Sequence, residues 1–268
     1  MRIKNERLSS DDLQLIRRLT DEGKSLNYLS KLMNLGKPTI YYQVRKFKPR
    51  IKKDFIVNLN DFQIGELIGA FAGDGNYYHN SYDPKFPKKT NQHRVRYFLT
   101  YAKEADYAEY LKNLLIKLNL NPCIMENKSV FIVNISSKEY IEFIKSYLIW
   151  EKGKTFSIRL RKEISEYSDD FLRGFARGLM DTDGFMNTAN AACACISEKL
   201  MNNLADIFIK NNLEITRRVL ARGGNTRPLH FVRVRSISLY NYKELIGFSG
   251  SGKMNYLNKI LEKRISKY

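Results

Sequence analysis

Apolar residues recur at helical spacing three times within the first fifty positions. Ser9-Ser10-Asp11-Asp12 supplies capping and acidic first-turn chemistry ahead of Leu13, Ile16 and Leu19, and Gly23 follows as the stop. A second stripe, Leu26, Leu29 and Leu32, runs to Met33, and the chain turns at Asn34-Leu35-Gly36. Pro38 then occupies a position that the first turn of a third helix tolerates. That helix turns Ile40, Val44 and Phe47 inward and leaves Thr39, Tyr42, Gln43 and Lys46 facing out. Farther on the period changes. Arg94, Arg96 and Phe98 alternate with Val95, Tyr97 and Leu99, which predicts a hairpin strand with one cationic face. Ala105 to Leu118 is helical and Val130 to Ile135 extended. The order returns as a short hairpin from Phe185 to Ile196, a helix from Leu200 to Ile209, strands at Ile215 to Leu220 and His230 to Ile237, and a terminal helix from Met254 to Ser266.

Charge changes the picture of the first segment. Residues 1–53 hold 14 Lys+Arg against 5 Asp+Glu, half of the formal +18 carried by 268 residues. Concentrated basic charge on three short helices points to a phosphate backbone. Two helices joined by a tight Gly-containing turn, the second bearing polar and basic side chains, resemble the helix-turn-helix of resolvase-like and repressor-like domains. That resemblance implies DNA contacts from Lys37, Thr39, Tyr42, Gln43, Arg45 and Lys46. Lys48-Pro49-Arg50-Ile51-Lys52-Lys53 reads as a basic linker. With 43% hydrophobic residues the chain folds, no run is long enough to span a membrane, and no secretory signal opens it. The three cysteines have neither zinc nor disulfide spacing and read as core residues of a cytoplasmic, nucleoid-associated protein.

The rest of the chain contains one motif twice. Leu67-Ile68-Gly69-Ala70-Phe71-Ala72-Gly73-Asp74-Gly75 recurs 109 residues later as Ala176-Arg177-Gly178-Leu179-Met180-Asp181-Thr182-Asp183-Gly184. Gly65 and Gly174 extend the match, so Gly65, Gly69 and Gly73 line one helical face and Gly174, Gly178 and Thr182 another. Glycine inside a helix costs about 0.5–1 kcal/mol relative to alanine, and close backbone approach is the usual compensation. The two helices are therefore expected to pair in parallel, bringing Asp74 and Asp183 together at their C-terminal ends. A carboxylate there opposes the helix dipole, and two together repel, unless cations lie between them. Paired carboxylates binding hard divalent ions are the elements of metal-assisted phosphodiester hydrolysis.

These two segments resemble the paired motifs of the single-chain LAGLIDADG homing endonucleases, over roughly residues 59–268. The resemblance implies an α/β fold, with an αββαββα unit in each half and two sheets forming a saddle astride duplex DNA. It implies Mg²⁺ or Mn²⁺ on Asp74 and Asp183, helped by the carbonyls of Gly73 and Thr182. Lysines near the metals assist in that family: Lys103 resembles one of these, and Lys154 and Lys253, each preceded by Gly, form a more symmetric pair of candidate bases. The saddle's candidate DNA contacts are Lys85, Lys88 and Lys89 in a basic loop, Arg94 and Arg96, Arg222 and Arg227 in a second loop, and Arg233 and Arg235 on one strand face.

The expected organisation is thus a helix-turn-helix domain over 1–53, a first saddle half over 54–166 and a second over 167–268. The second half is 16 residues shorter between motif and helix, which implies an asymmetric DNA footprint. Gly247 to Lys253 has phosphate-loop spacing, but Met254 stands where a metal-binding hydroxyl is needed, so it reads as a turn before the last helix. Three functions remain open: a monomeric endonuclease making double-strand breaks without a protein partner, a non-cleaving sequence-specific transcription regulator derived from one, and an RNA-binding intron maturase. Both motif aspartates are present, which favours the first.

Overall fold

A computed structural model describes residues 8–48, 54–80, 92–100, 104–127, 129–151, 153–187, 189–221 and 226–265. The chain divides into two compact units, Met1–Lys53 and Asp54–Tyr268.

In the first unit, Ser9 caps α1 (Ser10–Asp21): its Oγ accepts the Asp12 N–H at 3.2 Å, and the Asp12 carboxylate accepts the Ser9 N–H at 2.9 Å. Gly23, at φ +78°, ends the helix. Ser25 caps α2 (Leu26–Leu32), Asn34 turns the chain at φ +50°, and Pro38 sits in the first turn of α3 (Lys37–Phe47). Ile16, Leu19, Leu29, Met33 and Ile40 form the core. Two expected core residues lie elsewhere. Leu13 is exposed and Leu15 packs in its place, while Leu32, on the outer flank of a seven-residue helix, is 53% exposed. Gln43 is half-buried and its Oε1 lacks a partner, so it does not face out with Thr39, Tyr42 and Lys46.

The second unit repeats one design. The first half runs α4 (Asp61–Ala72), β1 (Gly75–Asn80), β2 (Gln92–Thr100), α5 (Ala105–Lys117), β3 (Cys123–Asn127), β4 (Val130–Ser136) and α6 (Lys138–Tyr147). A short antiparallel pair, β5 (Leu148–Ile149) and β6 (Arg159–Leu160), brackets the four-residue α7 (Lys154–Ser157). The second half runs α8 (Asp169–Thr182), β7 (Gly184–Met186), β8 (Ala191–Cys195), α9 (Glu198–Lys210), β9 (Ile215–Leu220), β10 (Leu229–Val234), α10 (Leu239–Leu245) and α11 (Ser251–Ile265). The two antiparallel sheets have matching orders, β1-β2-β4-β3 and β7-β8-β10-β9. Even the helix stops correspond: Asn119 after α5 and Asn212 after α9 are left-handed at φ +58° and +56°.

In the first sheet Val95, Tyr97, Leu99, Val133 and Ile135 are buried toward the helices, and the alternate residues form an open face. Cys123 departs from the core expectation: β3 is an edge strand and its thiol is exposed, whereas Cys193 and Cys195 are buried. Arg235 departs too. β10 ends at Val234, so Arg235 is not on the Arg233 face, and its guanidinium pairs with Glu214 at 2.6 Å.

Candidate active site

Backbone contact between α4 and α8 builds the site. A Cβ placed on Gly65 would lie 2.1 Å from the Phe171 carbonyl oxygen, one on Gly69 2.1 Å from that of Phe175, and one on Gly178 2.0 Å from that of Glu66. The contacts advance together along both helices, so the pair is parallel and the C-terminal ends meet. There a Cβ on Gly73 would fall 2.2 Å from Thr182 Oγ1 and 3.2 Å from Asp183 Cγ. The Asp183 carboxyl thus lies against the turn that carries Asp74.

Burial pushes the Asp74 carboxyl up to about 7, with Asp183 and Glu104 adding to the rise and Lys253 and Lys154 opposing it. Burial also raises Asp183, against the pull of both lysines. The pair therefore holds a proton to near neutrality because two carboxylates share one poorly hydrated place.

Lys154 and Lys253 meet this charge in matching ways. Lys154 Nζ donates to the carbonyls of Phe71, Ala72 and Gly73 at 2.7, 3.0 and 2.9 Å. Lys253 Nζ donates to those of Met180, Asp181 and Thr182 at 3.1, 2.5 and 3.3 Å. Each ammonium closes the negative end of one helix. In this arrangement the carbonyls take the N–H groups of both lysines, which places an ammonium at each helix end. Burial lowers Lys154 to about 8, with Asp183 and Asp74 resisting the fall.

Oxygen is the donor on offer. Among the described residues no group of three His, Cys, Asp or Glu side chains is placed to hold a metal. Two carboxylates, with carbonyls that retain a second lone pair, suit a hard cation such as Mg²⁺, which keeps waters and takes phosphate oxygens to complete its shell. A cleft of about 520 Å³ opens beside Asp74, lined in part by Asn76, Trp150, Glu151 and Lys154.

The remaining sequence candidates divide. Arg94 and Arg96 occupy the open face of the first sheet, held by neutral amides: Arg94 by the Gln92 side chain and Arg96 Nε by Asn134 Oδ1 at 3.4 Å. Arg233 is on the corresponding face of the second sheet, beside Phe231 and opposite Thr216. Arg227 stacks 4.2 Å over Phe156. In the first unit Lys37, Thr39, Tyr42 and Lys46 are exposed, and Arg45 stacks 4.9 Å over Tyr41. Lys85, Lys88, Lys89, Lys103 and Arg222 lie outside the described residues.

Of three further acidic residues at the helix pair, Glu66 and Glu104 escaped the sequence reading, and Asp181 stood in it only as a motif letter and not as a site residue. Glu66 is fully buried and accepts the Tyr110 hydroxyl at 2.6 Å and the Ser249 hydroxyl; burial raises its carboxyl. Asp181 accepts the backbone N–H groups of Ser249 and Gly250 at 2.8 and 3.0 Å, and burial pushes it to about 7. Glu104 lies 3.8 Å from Lys253. A glutamate within an apolar helical run was the available signal for Glu66, and an aspartate present in only one copy of the motif for Asp181.

No family model matches the chain. The uncharacterized protein MJ0398 of Methanocaldococcus jannaschii is 24% identical over 252 residues, spanning 87% of this chain and 84% of that one. Among solved structures, I-DmoI in complex with DNA and Mn superposes with a TM-score of 0.55 at 14% identity, over 70% of this chain and 98% of the other. I-DmoI in complex with DNA and Ca gives 0.57 at 12% identity, over 74% and 98%. I-DmoI is a homing endonuclease. At such identities the likeness is one of fold, and the second unit has the mixed α/β LAGLIDADG fold of I-DmoI.

Proposed function

We propose that this chain is a site-specific, divalent-metal-dependent endonuclease of duplex DNA. The observation that carries the reading is the convergence of Asp74 and Asp183 at the ends of two parallel helices, each carboxyl raised by burial. Such an arrangement weakens the fold and gains its purpose when cations and a phosphodiester are present. Mg²⁺ or Mn²⁺, when bound, supplies an activated water and stabilises the leaving oxygen. Asp74 and Asp183 hold the metal, with Gly73 and Thr182 contributing carbonyls. Lys154 and Lys253 keep the helix ends neutral and place positive charge beside the scissile phosphate.

The two sheet faces are the surfaces for DNA. Among the described residues amides, not acids, hold Arg94 and Arg96, and the guanidinium fork suits the O6 and N7 atoms of guanine. The second face is poorer in such groups: Ala194, Leu229 and Phe231 share it with Arg218 and Arg233, while Ala192 is buried. Methyl contacts with thymine fit that composition. The first unit adds a basic helix, α3, as a second DNA-contacting module, and the whole acts as a monomer in the cytoplasm, on the nucleoid. No helix among the described residues is long and apolar enough to cross a membrane.

The second reading, a non-cleaving sequence-specific regulator, is favoured by one observation: ammonium groups already sit on the carbonyls of Gly73 and Thr182. Incubation with a randomised duplex library, in Ca²⁺ to select binding and in Mg²⁺ or Mn²⁺ to select cutting, separates the two. Cleaved products that vanish in Asp74→Asn and Asp183→Asn, with binding retained, support the nuclease. Selection of one sequence that is never nicked, bound equally by the Asn variants, supports the regulator.

A further inference from the structure

Lys154 and Lys253 end alike but are moored differently. Lys253 follows the turn Gly247–Ser251, and side chains from three helices grip that turn. From α8, Asp181 takes the Ser249 and Gly250 N–H groups, one on each carboxylate oxygen, at 2.8 and 3.0 Å. From α4, Glu66 takes the Ser249 hydroxyl, with Tyr110 of α5 donating to its other oxygen at 2.6 Å. Asp106 of α5 takes the Ser251 N–H at 2.6 Å. The turn fits Asp181 closely, since a Cβ on Gly250 would lie 3.2 Å from Asp181 Oδ1.

Nothing equivalent holds the first lysine among the described residues. The position matching Asp181 is Ala72, which has no acceptor to offer. Lys154 follows Gly153 at φ +90°, and the bond beside it, from the Glu151 N–H to Ser157 Oγ at 2.9 Å, stays within its own segment. One ammonium is therefore fixed by the carboxylates of the helix pair, and the other by its own grip on the carbonyls and a local turn.

We propose that Asp181, backed by Glu66, is a positioning residue for Lys253, so that one of the two strand cuts depends on this anchor and the other does not. The strand-selective part rests on the endonuclease reading above; the anchoring does not. Displacement of a charge-bearing group by about 1 Å costs on the order of a hundredfold in rate, and loss of a charge-assisted hydrogen bond loosens a segment by about tenfold or more in opening.

The test uses full-length Asp181→Ala, Asp181→Asn and Ser249→Ala, read first by amide hydrogen exchange and then by strand-resolved cleavage of a selected duplex. In Asp181→Ala the amides of 249–253 are expected to exchange about tenfold faster or more while 153–157 is unchanged. Nicks should accumulate in the same strand, the other cut slowing on the order of a hundredfold. Asp181→Asn keeps one acceptor oxygen and should recover both effects in part. If Asp181→Ala does not fold, Ser249→Ala, which removes one hydroxyl donor, should show the same local loosening and the same strand preference more weakly. Unchanged protection at 249–253, or equal loosening of both lysine segments, overturns the anchor. Equal slowing of both strands overturns the strand dependence. A wild-type protein that binds a site and cuts neither strand overturns the endonuclease reading and the strand dependence with it, and the exchange pattern alone then decides the anchor.

Discussion

Replacing Asp74 by asparagine should stabilise the metal-free protein at high pH while ending cleavage. In the unfolded chain Asp74 loses its proton near 3.8, and in the folded protein it holds it to about 7. Between those values the folded state carries the extra proton, so stability falls as pH rises and is lowest above 7. A difference of about 3 units corresponds to on the order of 4 kcal/mol at about 1.4 kcal/mol per unit. Relaxation, residual hydration and the attraction that Lys154 and Lys253 lose when the charge is removed reduce the expected gain to about 1–3 kcal/mol. For a unit of this size each kcal/mol moves the melting temperature by about 2–4 °C. Trp150, the single tryptophan, belongs to the second unit, with its ring 5.5 Å from that of Phe71 on α4, so its fluorescence reports this transition. Asp74→Asn should therefore melt several degrees above wild type at pH 8 and keep only about a third of that gain at pH 5. Mg²⁺ at pH 8 should raise wild type and leave the variant nearly unmoved. A variant that is less stable than wild type at pH 8, or a gain as large at pH 5, would refute the electrostatic account.

Three further outcomes follow from contacts elsewhere. Gly178→Ala sets a methyl 2.0 Å from the Glu66 carbonyl oxygen, and no side chain can yield; overpacking of about 1–3 kcal/mol or more outweighs the helix-propensity gain of about 1 kcal/mol, so chemical denaturation should show a net loss of about 1–2 kcal/mol, against about 0.5 kcal/mol or less for Gly36→Ala, where nothing lies within 3.7 Å. Arg94→Ala and Arg96→Ala should each cost about 1–3 kcal/mol of binding at one base pair of the selected site and relax the sequence preference there, whereas Arg235→Ala, whose guanidinium is spent on Glu214, should leave the preference intact. Lys46→Ala, on the exposed side of α3, should lower the slope of log affinity against log salt by about 0.9 for the phosphate contact it removes, and an identical slope would take that helix off the DNA.

The parts of the site written in local pattern were legible. A glycine every fourth residue inside an apolar helix has few uses besides backbone contact, so Gly65, Gly69, Gly174 and Gly178 announced the parallel pair, and with it the meeting of Asp74 and Asp183. Lys154 and Lys253 emerged from symmetry alone, but spacing locates a lysine without revealing which carbonyls take its N–H groups. Partners distant in the chain left no trace. Asp181 meets Ser249 across 68 residues and Glu66 meets it across 183, and neither separation has a period to detect. Strand ends were similarly opaque. Arg233 and Arg235 share a face only if the strand continues, and Ser236–Ser238 turns it into a 3₁₀ helix. Cys123 is apolar by type yet exposed because sheet order, a long-range property, makes β3 an edge.

The charge at the helix ends explains why a cation belongs there. Each helix contributes about half a negative charge at its C-terminus, so the parallel pair that the glycines enforce brings roughly one negative charge to a single point before any side chain is considered. Asp74, Asp183 and Glu104 add three when ionised, and Lys154 and Lys253 return two. The remainder is roughly two negative charges, which a proton on Asp74 halves and a divalent ion cancels. Proton and metal therefore compete for the same place, where burial first, and then Asp183 and Glu104, raise Asp74 to about 7. An antiparallel helix pair would put one end of each sign at the site and lose the excess. The same glycines that permit close contact thus set the charge on which the proposed chemistry depends, and alanine at Gly178 is expected to weaken the cation site together with the fold.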